Sequence, residues 1–172
     1  ADLGELSRIE SPGMRPVFAD VDAGRFLSDL CERFRLEAEK RGIAFACASD
    51  PGGVFSADSH LLHRAATNVL QNAFQHVPEG GRVAVRIGVD GHQAAIRIEN
   101  TGSIPEEEIP LVFDRMHRGE HSRHAPGSGL GLTIARAVME LHGGGIRIAN
   151  SGSGRVIVEM ILPAARADTA AP

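Results

Sequence analysis

The strongest constraint on the fold is an amphipathic segment over residues 57–81, which carries two asparagines four positions apart, Asn68 and Asn72. On a helix this spacing places both amides on one face, one turn apart. Apolar residues recur at helical intervals on a neighbouring face and predict the buried stripe, namely Leu62, Ala66, Val69, Ala73 and Val77. Asp58 or Ser59 is suited to cap the start, and Pro78 ends the run.

The two asparagines have two interpretations. Side-chain oxygens beside the buried face of a helix can hold a hard cation such as Mg²⁺, which takes oxygen ligands and keeps waters and phosphates of its own. Taken alone, however, an Asn-x-x-x-Asn pair is more typical of a solvated helix face, because helix surfaces are polar by default. The choice between the two depends on motifs further along the chain.

Composition narrows the class of protein. The length of 172 residues suits one domain. A net charge of −4 and the absence of Trp and Tyr argue against direct nucleic-acid binding. No apolar run approaches the roughly 20 residues that span a bilayer, so membrane attachment would come from sequence outside this chain. Cys31 and Cys47 stand apart without metal-ligand spacing and are expected to be buried thiols.

The single lysine, Lys40, excludes one class of nucleotide site. A Walker P-loop places Gly-Lys-Ser/Thr directly after its glycine loop, and this chain has no such string. A nucleotide would therefore be bound in another way.

The order of predicted elements indicates an α+β domain. Asp90–Gly91 between two alternating runs predicts a hairpin. The expected elements are a helix end and connector over residues 1–20, helices over 22–41, 105–113 and 129–142, a strand over 43–48 that pairs with 54–55, strands on both sides of 90–91, a polar loop over 117–129, and strands over 146–149 and 156–162.

Two further motifs carry chemistry. Gly127, Gly129 and Gly131 alternate where a loop enters a helix, and exposed N–H groups at a helix N-terminus can bind phosphate without lysine, although a flexible hinge is equally compatible. Asn100 ends a strand and is followed by a Thr-Gly-Ser turn, where its side chain could contact a ligand edge. In isolation this second motif is more typical of a surface turn.

In this order the motifs resemble the catalytic, ATP-binding domain of bacterial sensor histidine kinases in the GHKL superfamily. Residues 68–73 resemble the N box, 98–105 the G1 box, 113–116 the F box and 127–132 the G2 box. The HGGGI string at 142–146 and the closing strand match the end of the family pattern, so the resemblance covers residues 20–163. The Asn-x-Gly form of the G1 box resembles the heavy-metal-responsive subfamily.

The resemblance implies a Bergerat-type α+β two-layer sandwich. A mixed, largely antiparallel sheet would pack against about three helices, with a flexible ATP lid over residues 114–128. Residues 1–20 would be the end of a preceding dimerisation helix and a linker, 21–163 the ATP-binding domain, and 164–172 a disordered tail.

The resemblance also implies roles for individual residues. Asn72 would be the Mg²⁺ ligand, Asn68 would support metal and phosphate from the same face, and Arg118 would neutralise phosphate charge, with Arg123 as a further candidate. Asn100 would face the adenine amino group. The expected nucleotide contacts are Asn68, Asn72, Gln75, His76, Asn100, Gly102, Ile104, Arg115, Gly127, Ser128, Gly129, Leu130, Gly131 and Leu132.

The implied activity is delivery of the γ-phosphoryl of ATP-Mg to a histidine on a dimerisation domain outside this chain, for onward transfer to a response regulator. The parent would be a homodimer in the inner membrane, with this domain on the cytoplasmic side.

Two departures from the family pattern leave alternatives open. Asn100 stands where Asp is usual, and Gln75 where a basic residue is common, which is compatible with a degenerate nucleotide- or partner-binding module. A GHKL ATPase of the gyrase type would carry Glu in place of Asn68, which disfavours hydrolysis. Histidines at 117, 121 and 124 in the lid, and at 60 and 63, form a weaker metal-site hypothesis because they lack fixed geometry.

Overall fold

The computed structural model describes residues 2–115 and 129–164, which alternate between helices and strands. The elements are α1 (Asp2–Ile9), β1 (Ala19–Asp22), α2 (Ala23–Arg41), β2 (Ala44–Ser49), β3 (Val54–Ala57), α3 (Ser59–His76), β4 (Arg82–Val89), β5 (Gln93–Thr101), a 3-10 helix (Ile109–Leu111), α4 (Gly131–Leu141), β6 (Gly145–Ser151) and β7 (Arg155–Pro163). The predicted lid and tail lie mostly outside the described residues, so neither is tested.

The main sheet has five strands in the order β2-β4-β5-β7-β6, and β2 with β4 is its one parallel pair. The helix α3 carries the chain from β3 back to β4, as a crossover to a parallel strand requires. The expected pairing of residues 54–55 with the strand over 43–48 is wrong. Instead β3 pairs with β1 in a separate two-stranded sheet, where Val21 opposes Phe55 and both are buried.

The two faces of the main sheet differ sharply. Alternate residues of β4, β5 and β7 are buried, and α2, α3 and α4 pack on that face. The opposite face carries a network of ion pairs in which Arg97 contacts Glu99 and Glu159, and Arg155 contacts Glu99. Period-two burial therefore produces the predicted two-layer sandwich.

The helix α3 forms as the sequence predicts. The Asp58 carboxylate accepts hydrogen bonds from the N–H groups of His60 and Leu61, which identifies it as the N-cap. Every residue of the predicted stripe is buried. At the other end, the Arg41 guanidinium donates to the carbonyls of Phe74 and Val77 at 2.6 and 3.0 Å, so a side chain from α2 satisfies carbonyls that the helix leaves open.

Residues 2–20 pack more closely than a helix end and connector would require. Leu6 and Ile9 of α1 are buried, and α1 lies against α4. On α3, Arg64 forms two hydrogen bonds to Glu5, at 2.9 and 2.7 Å. The assignment of this segment to a dimerisation helix stays a prediction.

Hydrogen bonds centred on Asp58 connect three segments that are distant in sequence, and we call this group of bonds the joint at Asp58. Its carboxylate accepts from the N–H of Val17 at 2.8 Å, and its own N–H donates to Nε2 of His142 at 3.0 Å. The Nδ1 atom of His142 lies 2.8 Å from the Val138 carbonyl and donates to it. Nε2 of the buried ring therefore accepts and Nδ1 donates, so the ring connects the start of α3 to the end of α4.

The two cysteines are neighbours across the interface between α2 and β2. A hydrogen bond between the thiols, together with burial, raises the pKa of Cys31, and the same bond lowers the pKa of Cys47. Cys31 is buried as expected, whereas Cys47 is half-buried.

Smaller differences concern element ends. Residues 105–113 form turns and the short 3-10 helix rather than one continuous helix, and α4 begins at Gly131.

Within residues 2–115 and 129–164, no helix combines the length and apolar character that crossing a membrane needs.

Candidate nucleotide-binding site

One side of the candidate site is the face of α3 that carries both asparagines. Asn68 is buried, and its Nδ2 donates to the carbonyl of Gly131 at 3.3 Å. Asn72 is half-buried one turn further along the same face. Residues at this helical spacing have their Cβ atoms about 5–6 Å apart. The structure thus joins Asn68, one member of the predicted pair, to the first residue of α4.

The N-terminus of α4 completes this side. Leu130 precedes the helix and offers no side-chain acceptor to the N–H groups of the first turn. The N–H groups in the first turn of a helix lie at the positive end of the helix dipole and attract anions. Gly129 takes a φ of 72°, a conformation that favours glycine, just before this turn. We call the Asn68–Asn72 face and residues 129–132 together the phosphate side.

The other side lies at the end of β5. Asn100 is buried, and its Nδ2 donates to the carbonyl of Thr101 at 3.0 Å. Within residues 2–115 and 129–164, its Oδ1 accepts no hydrogen bond. A buried acceptor without a partner costs free energy unless a ligand satisfies it. This atom can accept from an amino group such as that of adenine.

The turn after Asn100 is fixed by contacts with the hairpin between β6 and β7. Gly102 has a φ of 142° and donates its N–H to the carbonyl of Gly154 at 3.1 Å. Two residues later, the side-chain amide of Asn150 binds both backbone groups of Ile104. We call residues 100–104, together with Asn150 and Gly154 that hold them, the base side.

Gln75 and His76 end α3 and are exposed. Partial desolvation lowers the pKa of His76 below its ordinary value, and the carboxylate of Glu108 partly opposes this shift. This electrostatic contact links the end of α3 to the segment that follows the base-side turn.

The arginine candidates divide into two groups. Arg115 forms an ion pair with Glu10, which directs it towards the segment after α1. Arg118 and Arg123 lie outside the described residues, together with Gly127 and Ser128. Thr133 anchors the F-box stretch to α4, since its hydroxyl donates to the carbonyl of Phe113 at 3.0 Å.

A family model matches residues 57–166, from the residue before the N-cap of α3 to beyond β7, and its description is "Histidine kinase-, DNA gyrase B-, and HSP90-like ATPase".

The chain belongs to this family.

The match includes both asparagine motifs and the start of α4, which confirms the predicted GHKL resemblance and ATP as the nucleotide of the family.

Curated relatives of this ATPase domain are sensor histidine kinases. The histidine-protein kinase/phosphatase MprB of Mycolicibacterium smegmatis is 38% identical over 171 residues, which are 96% of this chain and 34% of that protein. The same-named protein of a Mycobacterium species covers 89% of this chain with 29% of its length. The chain therefore spans about a third of their length.

Solved structures support the fold. The mycobacterial sensor histidine kinase MprB matches with a TM-score of 0.73 and 34% identity, over 84% of this chain and 97% of that chain. The histidine kinase ThkA, solved in complex with response regulator protein TrrA, matches with a TM-score of 0.72 and 22% identity, over 86% of this chain and 42% of that one. The fold is that of histidine kinase catalytic domains, as predicted.

The histidine metal hypothesis gains no support in the part of the chain that is described. Residues 2–115 and 129–164 contain no group of three His, Cys, Asp or Glu side chains placed to hold a metal ion. His63 instead contacts Thr67 and the edge of the Phe26 ring. The three lid histidines lie outside the described residues.

Sequence reasoning missed two residues that support the candidate site. Asn150 and Thr133 hold the base-side turn and the F-box stretch, yet neither was a candidate. A signal was present for Asn150, because Asn is depleted in strands and here interrupts an alternating strand.

Proposed function

We propose that this chain is the ATP-binding catalytic domain of a sensor histidine kinase, which transfers the γ-phosphoryl of ATP to a histidine on a dimerisation domain outside the chain. In the transfer, the bond between the γ-phosphorus and the β,γ-bridging oxygen breaks, a bond to a histidine nitrogen forms, and ADP leaves. The observation that carries the proposal is the buried Oδ1 of Asn100, which accepts no hydrogen bond within residues 2–115 and 129–164, together with the start of α4 beside the Asn68–Asn72 face, where the N-cap residue contributes no side-chain hydrogen bond.

On the phosphate side, Asn72 would ligate Mg²⁺ and Asn68 would orient it from the next turn. The oxygen chemistry of this face suits a hard cation, and bound Mg²⁺ would neutralise phosphate charge. The N–H groups of Gly129, Leu130, Gly131 and Leu132 would contact the phosphates, with Gly127, Ser128 and Arg118 as further contacts expected from the family pattern. Positioning and electrostatics are what phosphoryl transfer demands of a protein.

On the base side, Asn100 would accept from the adenine amino group. Gly102 would allow the backbone to turn beneath the ring, because its φ of 142° disfavours any residue with a side chain. Ile104, which packs against the core, would contact the apolar ring face.

Residues at the margins of the site have lesser proposed roles. Gln75 and His76 would face the phosphates or the lid from the end of α3. Arg115 would reach phosphate only after leaving Glu10, its partner in this structure.

The partners follow from the relatives, whose names describe signal transduction kinases. We propose that the phosphoryl passes on to a response regulator, by analogy with the ThkA complex. The parent would be a homodimeric inner-membrane sensor with this domain in the cytoplasm. Membership of the metal-responsive subfamily stays a prediction that rests on the Asn-x-Gly motif.

Asn68 favours this function over hydrolysis. An ATPase of the gyrase type would carry a glutamate there as the base that activates water, and an amide cannot take a proton in that role. A degenerate module without chemistry is the remaining alternative, with Asn100 and Gln75 as its support.

Reconstitution tests the proposal. The chain is incubated with ATP, Mg²⁺ and a separately made dimerisation domain from a kinase of this family, and acid-labile phosphate on that domain is measured. Transfer supports the kinase. Binding without transfer to any supplied domain favours the degenerate module, and release of free phosphate without transfer favours the ATPase.

A further inference from the structure

The hairpin between β6 and β7 makes three hydrogen bonds to the turn that follows Asn100. The Asn150 Oδ1 accepts from the N–H of Ile104 at 2.9 Å, and its Nδ2 donates to the carbonyl of the same residue at 2.7 Å. The carbonyl of Gly154 accepts from the N–H of Gly102 at 3.1 Å. One side chain therefore satisfies both backbone groups of Ile104, as a neighbouring strand would.

The strand register explains how Asn150 reaches this turn. Asn100 of β5 and Asn150 of β6 both pair with Val156 of the intervening strand β7. Directly opposed residues share a face of the sheet, so the two asparagines stand in one row on the helix-covered face, two strand spacings apart. After Asn100 the chain passes the N-terminal end of β7, and Ile104 is then bound by Asn150.

Holding Ile104 in this way restricts the turn that follows Asn100. A cross-strand hydrogen bond fixes Gly102, and the amide of Asn150 fixes Ile104, so residues 101–104 are held at two points. The Nδ2 of Asn100 is bonded inside this turn, to Thr101, which turns its Oδ1 in the opposite direction. The orientation of the base-reading amide thus depends on a turn that Asn150 immobilises.

We infer that Asn150 is a positioning residue for the nucleotide base: by fixing Ile104 it holds the Asn100 amide in the orientation that accepts from adenine. The inference rests on the proposed function and deepens it, because it assigns base selectivity to a residue outside the expected nucleotide contacts. Guanine carries a carbonyl where adenine carries the amino group, so a fixed Oδ1 repels it.

The test compares the chain with Asn150→Ala, which removes both bonds to Ile104 and the 3.4 Å bond to the Glu106 carboxylate, and Asn150→Asp, which keeps an acceptor for the Ile104 N–H. Ser153→Ala is the matched control, because Ser153 lies in the same hairpin and contacts Ser151 and Arg155 instead of the turn. Calorimetry measures the affinities for ATP, GTP and magnesium tripolyphosphate.

For Asn150→Ala we expect the ATP affinity to fall about tenfold, the order expected when hydrogen bonds that fix a binding group are lost. The ratio of the ATP affinity to the GTP affinity decreases. The affinity for tripolyphosphate is unchanged, because this ligand contacts the phosphate side alone. Asn150→Asp gives an intermediate loss of ATP affinity, and Ser153→Ala leaves the ATP affinity unchanged. In the reconstituted reaction, Asn150→Ala raises KM for ATP and leaves kcat unchanged.

A ligand-free measurement checks the structural step. The amide NMR signals of Gly102 and Ile104 shift in Asn150→Ala and stay in place in Ser153→Ala.

The outcomes separate the inference from the proposed function. If the unsubstituted chain binds no ATP, the proposed function fails and the inference with it. If it binds ATP and Asn150→Ala retains both affinity and selectivity, the inference alone is overturned. An equal loss for ATP and tripolyphosphate overturns it as well, because that result describes a general structural role.

Discussion

The phosphate side and the base side of the site are built in different ways. The phosphate side uses two helices, and its residues lie where helical periodicity places them, on the Asn68–Asn72 face and at the start of α4. The base side uses one short turn whose shape depends on a hairpin 46 positions further along the chain. The comparison teaches that local periodicity can place a ligand-binding face, whereas a turn needs distant residues to hold its shape.

The largest expected effect is on the phosphate side and depends on the metal. Asn72→Ala removes the proposed Mg²⁺ ligand, so the affinity for ATP in the presence of Mg²⁺ should fall at least about 100-fold, by analogy with losses at metal sites. Calorimetric titration with a non-hydrolysable ATP analogue measures it.

The control is Gln71→Ala, one residue earlier on the same helix and exposed. It should bind as the unsubstituted chain does. Unchanged affinity in Asn72→Ala would remove Asn72 from the metal site.

A change on the base side should be smaller and independent of the metal. Asn100→Ala removes one acceptor for the adenine amino group, which corresponds to about a tenfold loss of affinity. The loss should appear for adenosine without Mg²⁺, a ligand whose affinity Asn72→Ala leaves unaltered. If both substitutions weaken adenosine equally, the division into two sides is wrong.

The division also bears on what the sequence could predict. The stripe of α3 follows from spacing along the chain. The sequence left the cap open between Asp58, which the structure selects, and Ser59, and it placed Asn100 at the end of its strand, one residue before the strand ends at Thr101. The pairing of β3 with β1 and the contact of Asn150 with Ile104 join residues far apart, where short motifs carry no information about geometry. Family resemblance supplied the site residues, yet it named only those expected to touch the nucleotide, so their supports were missed.

On the phosphate side, Asn68 also contributes to the stability of the folded chain. Asn68→Ala loses the hydrogen bond to the Gly131 carbonyl, and the free energy of unfolding should fall by about 1 kcal/mol. Urea denaturation measures it, with Gln71→Ala expected to change stability by less than about 0.5 kcal/mol. Equal stabilities would mean that this bond does not hold α3 against α4.

The smallest effect concerns the electrostatic contact between the end of α3 and the segment after the base-side turn. Partial desolvation lowers the pKa of His76 and Glu108 raises it, so Glu108→Gln should lower this pKa further. An NMR titration of the His76 ring measures the shift, and Glu107→Gln is the control at the neighbouring position. An unchanged pKa in Glu108→Gln would show that Glu108 does not act on the His76 ring.

The sign of the accompanying stability change follows from the same shift. The folded chain binds the His76 proton less readily than the unfolded chain does. The free energy of unfolding therefore decreases as the pH falls from 7 through the ordinary histidine range.

The joint at Asp58 has a consequence for local opening. Its carboxylate and N–H connect the segment before β1, the start of α3 and the end of α4, three regions that are distant in sequence. Segments that share such bonds open together as one cooperative unit. The amide hydrogens of Val17 and Asp58 should therefore exchange with deuterium at similar rates, so that the chain entering the domain is kinetically part of its core.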